Sequence, residues 1–226
     1  MSGRADILGR IARNQAAHPA RDPAAVAARL AGHPRGPAVA RAALDRNGQI
    51  DLFERMALAA MASVARVPSL EAVPGALTDW LARENLPAEI AMAPDPALDA
   101  IPWSSRPLLS IRRGIGLDGD PVAVTRGFAG IAETGTLMLL SGPETPTTLN
   151  FLPESEVVVL RRRDVVGDLE TAWDRLRRAR DGAMPRTVNF VTGPSRSADI
   201  GQELLMGAHG PRRLHIILVE DGDVPD

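Results

Sequence analysis

Glu156-Val157-Val158-Val159-Leu160-Arg161 is the stretch that decides the fold. A short run of β-branched and aliphatic residues without polar alternation suits a strand covered on both faces, and such strands belong to parallel sheets. Downstream, residues 168–180 read as an amphipathic helix with Leu169, Trp173 and Leu176 on one side. Residues 187–191 read as a strand, 197–206 as a helix and 214–219 as a last apolar strand. Upstream, 136–140, 121–126, 108–112 and 89–93 are strand-like, with Gly135 and Gly142 flanking the first of these. Residues 74–85 form a helix with Pro near its start, where a missing N–H costs nothing. Residues 49–66 contain no Pro or Gly and are rich in Ala, Leu and Met, which predicts one long, largely buried helix ended by Pro68. Helices alternating with short β-branched runs give an α/β fold on a mostly parallel sheet.

The first part of the chain reads differently. Ile7, Leu8 and Ile11 have the spacing of a short amphipathic helix, and a Pro-, Gly- and His-containing stretch at 18–37 surrounds an Ala-rich turn or two at 24–30. We therefore expect an N-terminal helical arm over residues 1–46 and a single domain over 47–226.

Composition bounds the chemistry. Of 226 residues 45% are hydrophobic but only 3% aromatic, so the core is aliphatic. A net charge of −2 gives no general attraction to phosphate backbones, so no nucleic acid partner is expected. There is no Cys, hence no disulfide, cysteine nucleophile or thiolate-ligated cluster within this chain. All 26 basic residues are Arg, which excludes lysine Schiff bases and the Walker-type phosphate loop. Tyr is absent as well. With no apolar run of membrane-spanning length and a charged start lacking a signal peptide, a soluble, cytoplasmic protein is expected.

Three segments carry candidate chemistry. In Thr187-Val-Asn-Phe-Val-Thr-Gly-Pro-Ser-Arg-Ser-Ala-Asp-Ile200 a strand runs through Gly193 and Pro194 into a predicted helix. Free N–H groups at that helix start, Ser195, Ser197 and Asp199 in its first turn, and the planar cation of Arg196 would suit an anion. The same residues also read as ordinary caps beside a solvated arginine. In Gly130-Ile-Ala-Glu-Thr-Gly-Thr136, Glu133 could act as nucleophile, base or acceptor, with Thr134 and Thr136 supplying hydroxyls. On spacing alone it reads first as a β-hairpin or bulge with Gly135 at positive φ and Glu133 exposed. In Gly207-Ala-His-Gly-Pro211, Gly207 would end the helix, and His209 with Gly210 has a site-like setting. His209 and His215 lack a third ligand at convincing spacing, so no metal is expected. The run Arg161-Arg162-Arg163 reads as a solvated strand end that would also suit an acidic partner.

Taken in order, Ile131-Ala-Glu-Thr-Gly-Thr-Leu-Met-Leu-Leu-Ser-Gly-Pro143, Arg186-Thr-Val-Asn-Phe-Val-Thr-Gly-Pro-Ser-Arg-Ser-Ala-Asp-Ile200 and Gly207-Ala-His-Gly-Pro211 with Leu214-His-Ile-Ile-Leu-Val219 resemble the lactate utilization protein C family, proteins with a LUD domain. The likeness runs over about residues 48–220 and is strongest after 120. It implies a three-layer α/β/α fold of the NagB/RpiA/CoA transferase-like class, with a ligand site at loops following the strands. It also implies a role in oxidising L-lactate to pyruvate beside two iron–sulfur cluster-bearing subunits, no cofactor being held in this chain. The ligand would be a small anion, lactate or pyruvate or a phosphate-bearing molecule. Its walls would be Glu133, Thr134, Gly135, Thr136, Gly193, Pro194, Ser195, Arg196, Ser197, Asp199, His209 and Gly210. The family's usual Glu after Ala198-Asp199-Ile200 is Gly201 here, with Glu203 two residues on. Two other readings stand beside this one: a stand-alone enzyme using Glu133 on a CoA, folate or sugar-phosphate ligand, and a small-ligand-binding regulator without chemistry.

Overall fold

The computed structural model describes residues 3–17, 22–37, 39–200, 203–207 and 209–220, with backbone alone for 17, 197–200 and 203–206. The chain divides into two units, residues 1–38 and 39–226. In the first, α1 (Gly3–Ala17) presents Ile7, Leu8 and Ile11 exposed. Helix α2 (Pro23–Gly32) starts under a cap from Asp22, whose carboxylate accepts from the Ala24 N–H at 2.9 Å. It ends at His33 in the left-handed region.

The second unit is built on a six-stranded sheet. In chain order its elements are α3 (Arg46–Ala59), β1 (Ser63–Val67), α4 (Val73–Arg83), β2 (Glu89–Met92), α5 (Pro96–Asp99), β3 (Ser110–Arg113) and β4 (Val122–Arg126). There follow β5 (Ala129–Ile131), β6 (Thr136–Leu140), α6 (Thr148–Phe151), β7 (Ser155–Arg161), β8 (Val165–Val166), α7 (Leu169–Ala179) and β9 (Val188–Val191). Strands β10 (Arg196–Ile200), β11 (Glu203–Met206) and β12 (Arg213–Val219) complete it. The main sheet has the order β1-β12-β7-β4-β2-β3, and each neighbouring pair is parallel.

β7 lies near the middle, and its residues alternate between two cores. Val157 and Val159 join Leu77, Trp80 and Leu81 of α4 with Ile217 and Val219 of β12. Val158 and Leu160 join Ile50, Phe53 and Ala57 of α3 with Ile216 and Leu218. A strand with apolar residues on both faces is stable only where both faces are covered, and each such side chain contributes about 1.5–3 kcal/mol by leaving water. The expected sheet with helices on its two faces is what the chain forms.

One layer holds more than was expected. A second, four-stranded sheet in the order β8-β5-β6-β9 packs Leu137 and Leu139 into the α3 side of the core. Its other face, with Ile131 and Met138, meets Ala172 and Leu176 of α7. The 136–140 and 187–191 segments are strands as predicted, but they pair antiparallel in this smaller sheet. β5 and β8, of three and two residues, carry no periodicity of their own.

The predicted helix over 49–66 is corrected: α3 stops at Ala59, and the chain re-emerges as the edge strand β1. The stop is a Schellman closure. Met61 takes φ 71°, its N–H bonds to the Leu58 carbonyl at 2.9 Å, and the Ala62 N–H bonds to that of Ala57 at 3.0 Å. Glycine normally fills this left-handed position, so a helix ended by methionine leaves no mark in the sequence.

Candidate functional site

The predicted helix over 197–206 is also corrected. Arg196–Ile200 and Glu203–Met206 are antiparallel strands, pairing Arg196 with Met206 and Ser197 with Leu205, with an irregularity between Ala198 and Ile200. The anion site at a helix start therefore has no helix to carry it, and Gly207, at φ 80°, follows a strand instead. Ser and Asp compete with a helix for their own backbone groups, which opposes helix over Ser197-Ala198-Asp199. Gly201 lies outside the described residues, as do the side chains of Ser197 and Asp199.

What Gly193 and Gly135 do is visible at α3. Gly193 has φ 71°, and a Cβ there would stand 1.9 Å from the Ala60 carbonyl oxygen. Gly135 has φ 66°, and a Cβ would stand 2.3 Å from the Ala57 nitrogen. Both turns thus press backbone to backbone against the last turn of α3, a contact that only glycine allows. Hydroxyls tie the two turns together: Thr134 shares a hydrogen bond with Thr136 at 2.7 Å, and Thr136 shares one with Thr192 at 2.6 Å.

The hairpin reading holds for the backbone, since β5 pairs antiparallel with β6 and Gly135 has positive φ, but Glu133 is buried, not exposed. Its Oε1 accepts from the Leu169 N–H at 2.8 Å, and Asp168 accepts from the Thr171 N–H at 2.6 Å. Two carboxylates thereby satisfy the orphan donors at the start of α7 and oppose its positive end. Ser195 pins the next loop: its N–H donates to the Pro211 carbonyl, its carbonyl accepts from Gly207, and its Oγ accepts from the His209 N–H at 3.3 Å. Arg196 is exposed and directs Nη1 to the Met61 sulfur at 3.5 Å.

Gly193, Pro194, Ser195, His209 and Gly210 come together around one half-open cavity of about 220 Å3, which Asn150, Phe151 and Glu156 also line. Thr192 also lines it and links it through Thr136 to the first motif. Glu133, Thr134, Gly135, Thr136 and Arg196 are not among its walls. The cavity opens at the amino-terminal edge of the main sheet, because Glu156 and Leu214 are paired second residues of β7 and β12. A site at loops following the strands would lie at the opposite edge.

Glu156 was not foreseen as a site residue. It is fully buried, its Oε1 accepts from the Thr125 hydroxyl at 3.2 Å, and among the described residues its Oε2 has no partner. Burial pushes its carboxyl up to about 8, against the smaller opposing effect of the Thr125 hydroxyl. At neutral pH it is a neutral acid behind the inner wall of the cavity, its unpartnered carboxyl oxygen shielded from solvent. Its signal was present: an ionisable residue opening a run read as covered on both faces. A carboxylate buried there without a cation must give up its charge or find a partner.

His215 is a second buried group whose titration is displaced. It stacks on Trp80 at 4.8 Å between ring centroids, and its Nδ1 shares a hydrogen bond with Ser63 at 2.8 Å. Burial first, and the Arg83 charge second, lower it to about 4, so it is a neutral core residue. Among the described residues no group of three His, Cys, Asp or Glu is placed to hold a metal ion, and no helix is long and apolar enough to cross a membrane.

The LUD domain model matches residues 121–219, the stretch from β4 to β12. A lactate utilization protein C of Bacillus subtilis is 33% identical over 102 residues, covering 44% of this chain and 42% of that protein. One from an Exiguobacterium strain is 34% identical over 120 residues, covering 52% and 51% respectively. An uncharacterized protein of Neisseria meningitidis is 40% identical over 100 residues, 42% of each chain. These matches span between two fifths and about half of the relatives' lengths. The fold has a solved counterpart in the crystal structure of a DUF162 family protein from Deinococcus radiodurans, with a TM-score of 0.58 and 23% identity over 78% of this chain and 99% of the other. Residues 121–219 are thus similar to the LUD domain family, and the relatives that resemble this part of the chain include lactate utilization C proteins.

Proposed function

We propose that this chain serves in lactate utilisation, as the subunit that binds the small acid while iron–sulfur partners take the electrons. The observation that carries the reading is the cavity at Glu156, walled by the motif residues Gly193, Pro194, Ser195, His209 and Gly210. The similarity to proteins named lactate utilization protein C supplies the substrate class. A neutral carboxylic acid at the wall of a small, half-open site would be a donor suited to the carboxylate or keto oxygen of pyruvate and to the hydroxy acid from which it forms. Oxidation of L-lactate to pyruvate releases two electrons and two protons. A chain without cysteine offers no thiolate set for a cluster, so the electrons would pass to partner subunits that hold one. Glu133 is engaged at the start of α7, which favours this reading over one in which it attacks a substrate.

The test is reconstitution. Lactate-dependent reduction of an artificial electron acceptor should require this chain together with its cluster-bearing partners, and the chain alone should give none. Titration calorimetry of the chain with pyruvate should show saturable binding that Glu156→Leu abolishes and Glu156→Gln, which keeps a donor, largely retains. Absence of lactate oxidation in the complete mixture would sink the proposal.

A further inference from the structure

The other edge of the main sheet carries a different chemistry. β4 ends in Arg126 and β7 in Arg161, and the chain turns there through Arg162, Arg163 and Asp164. A cavity of about 860 Å3 lies over these strand ends, and six arginines line it: Arg46, Arg126, Arg161, Arg163, Arg175 and Arg178. They come from the start of α3, two strands, the turn after β7, and two positions of α7 three residues apart. Among the described residues Asp164 is the one carboxylate on the wall, and it pairs with Arg175. Asp95, buried beneath the rim, pairs with Arg126 at 2.7 Å.

Solvated strand-end arginines would point apart, since like charges in one cavity repel. Two of these are instead fixed in place. Arg46 donates Nη1 to the Val165 carbonyl at 2.6 Å and Nη2 to that of Arg163 at 3.1 Å, which orients the guanidinium without a carboxylate partner. Arg175 donates to the Arg163 carbonyl at 3.2 Å and lies over the Phe128 ring, 5.3 Å from its centroid. Among the described residues, Arg163 and Arg178 have no ion pair, and both are exposed at the mouth. The positive charge is thus assembled and held on an open parallel-sheet edge where ligands of such sheets commonly bind.

We infer that this cavity binds a multiply charged, phosphate-bearing small molecule, separately from the acid site at Glu156. One carboxylate would engage one or two guanidiniums, whereas a pyrophosphate group has the oxygens and charge to engage several bidentately. The volume leaves room for an organic moiety.

Titration of the full chain with inorganic pyrophosphate at physiological salt tests this. Saturable binding is expected, and Arg163→Ala and Arg178→Ala should each weaken it about tenfold, as loss of a charged hydrogen bond implies. Both positions are exposed, so unfolding midpoints should not move, and Glu156→Gln should leave pyrophosphate binding unchanged. The inference is overturned if pyrophosphate gives no saturable heat at millimolar concentration, or if the double variant binds as the parent does. It is equally overturned if a hexaglutamate peptide binds more tightly than pyrophosphate, which would make the cavity a seat for an acidic protein. Failure here leaves the lactate reading standing, because that rests on the Glu156 cavity.

Discussion

Gly193 shows how a motif residue can be conspicuous in sequence and yet be spent on packing. Its φ of 71° puts any side chain in the left-handed region, and the Ala60 carbonyl occupies the place a Cβ would take. Gly193→Ala should therefore cost about 3 kcal/mol, summing backbone strain and overpacking. Gly182→Ala is the control: φ is 80°, but nothing lies within 4 Å, so only the backbone penalty of about 1 kcal/mol applies. Urea unfolding midpoints separate the two, and equal losses would refute the close contact. The sequence showed that Gly193 sits in a turn; it could not show that the end of α3 presses on it from more than a hundred residues away. Glu156 is the reverse case. Its chemistry was legible as a carboxyl in an apolar run, but attention to periodicity alone passed over it.

At the scale of elements, what was legible followed from period and punctuation. α7 was readable because Leu169, Trp173 and Leu176 recur at helical spacing, although Leu169 itself is exposed; β4, β6, β7, β9 and β12 because aliphatic runs stop at Gly, Pro or charge. The errors fell where a boundary lacked its usual residue, as at Met61, or where Ser, Ala and Leu suit either state, as in β10 and β11. Glu133 belongs to this scale too, since its visible task is to start α7. Glu133→Ala should destabilise the protein by about 1–2 kcal/mol, the cost of a lost cap on a buried helix start. Glu133→Gln keeps an acceptor for the Leu169 N–H and should lose only the charge–dipole part, about 0.5 kcal/mol. Thermal unfolding of the two variants checks the order. If Glu133→Gln left stability intact but stopped pyruvate-forming activity in the reconstituted mixture, the cap would be the lesser of its roles.

For the whole molecule, two buried titratable groups on opposite faces of one sheet set how stability depends on pH. His215 is lowered to about 4 in the fold, against an ordinary value of 6.5, so the unfolded chain binds the proton more readily between these values. Its effect is a loss of stability as pH falls from 6.5 towards 4, and none above. Glu156 is raised to about 8 from 4.5, so the folded chain holds the proton more tightly, and stability is lost as pH rises from 4.5 towards 8. Between 4.5 and 6.5 the two oppose each other. Between 6.5 and 8 Glu156 acts alone, and the unfolding free energy should decline through that window. Glu156→Gln cannot ionise and should abolish the decline, making the variant more stable than the parent at pH 8 by on the order of 3 kcal/mol. His215→Gln should leave the decline above 6.5 in place while flattening the acid side. Denaturant midpoints taken from pH 4 to 9 decide it, and a Glu156→Gln profile parallel to the parent's would mean that the carboxyl is already ionised at neutral pH. Pyruvate binding adds a linked test. A ligand that accepts the Glu156 proton's hydrogen bond holds that proton more tightly still, so saturating pyruvate should carry the end of the decline to higher pH in the parent and have no such effect in the variant.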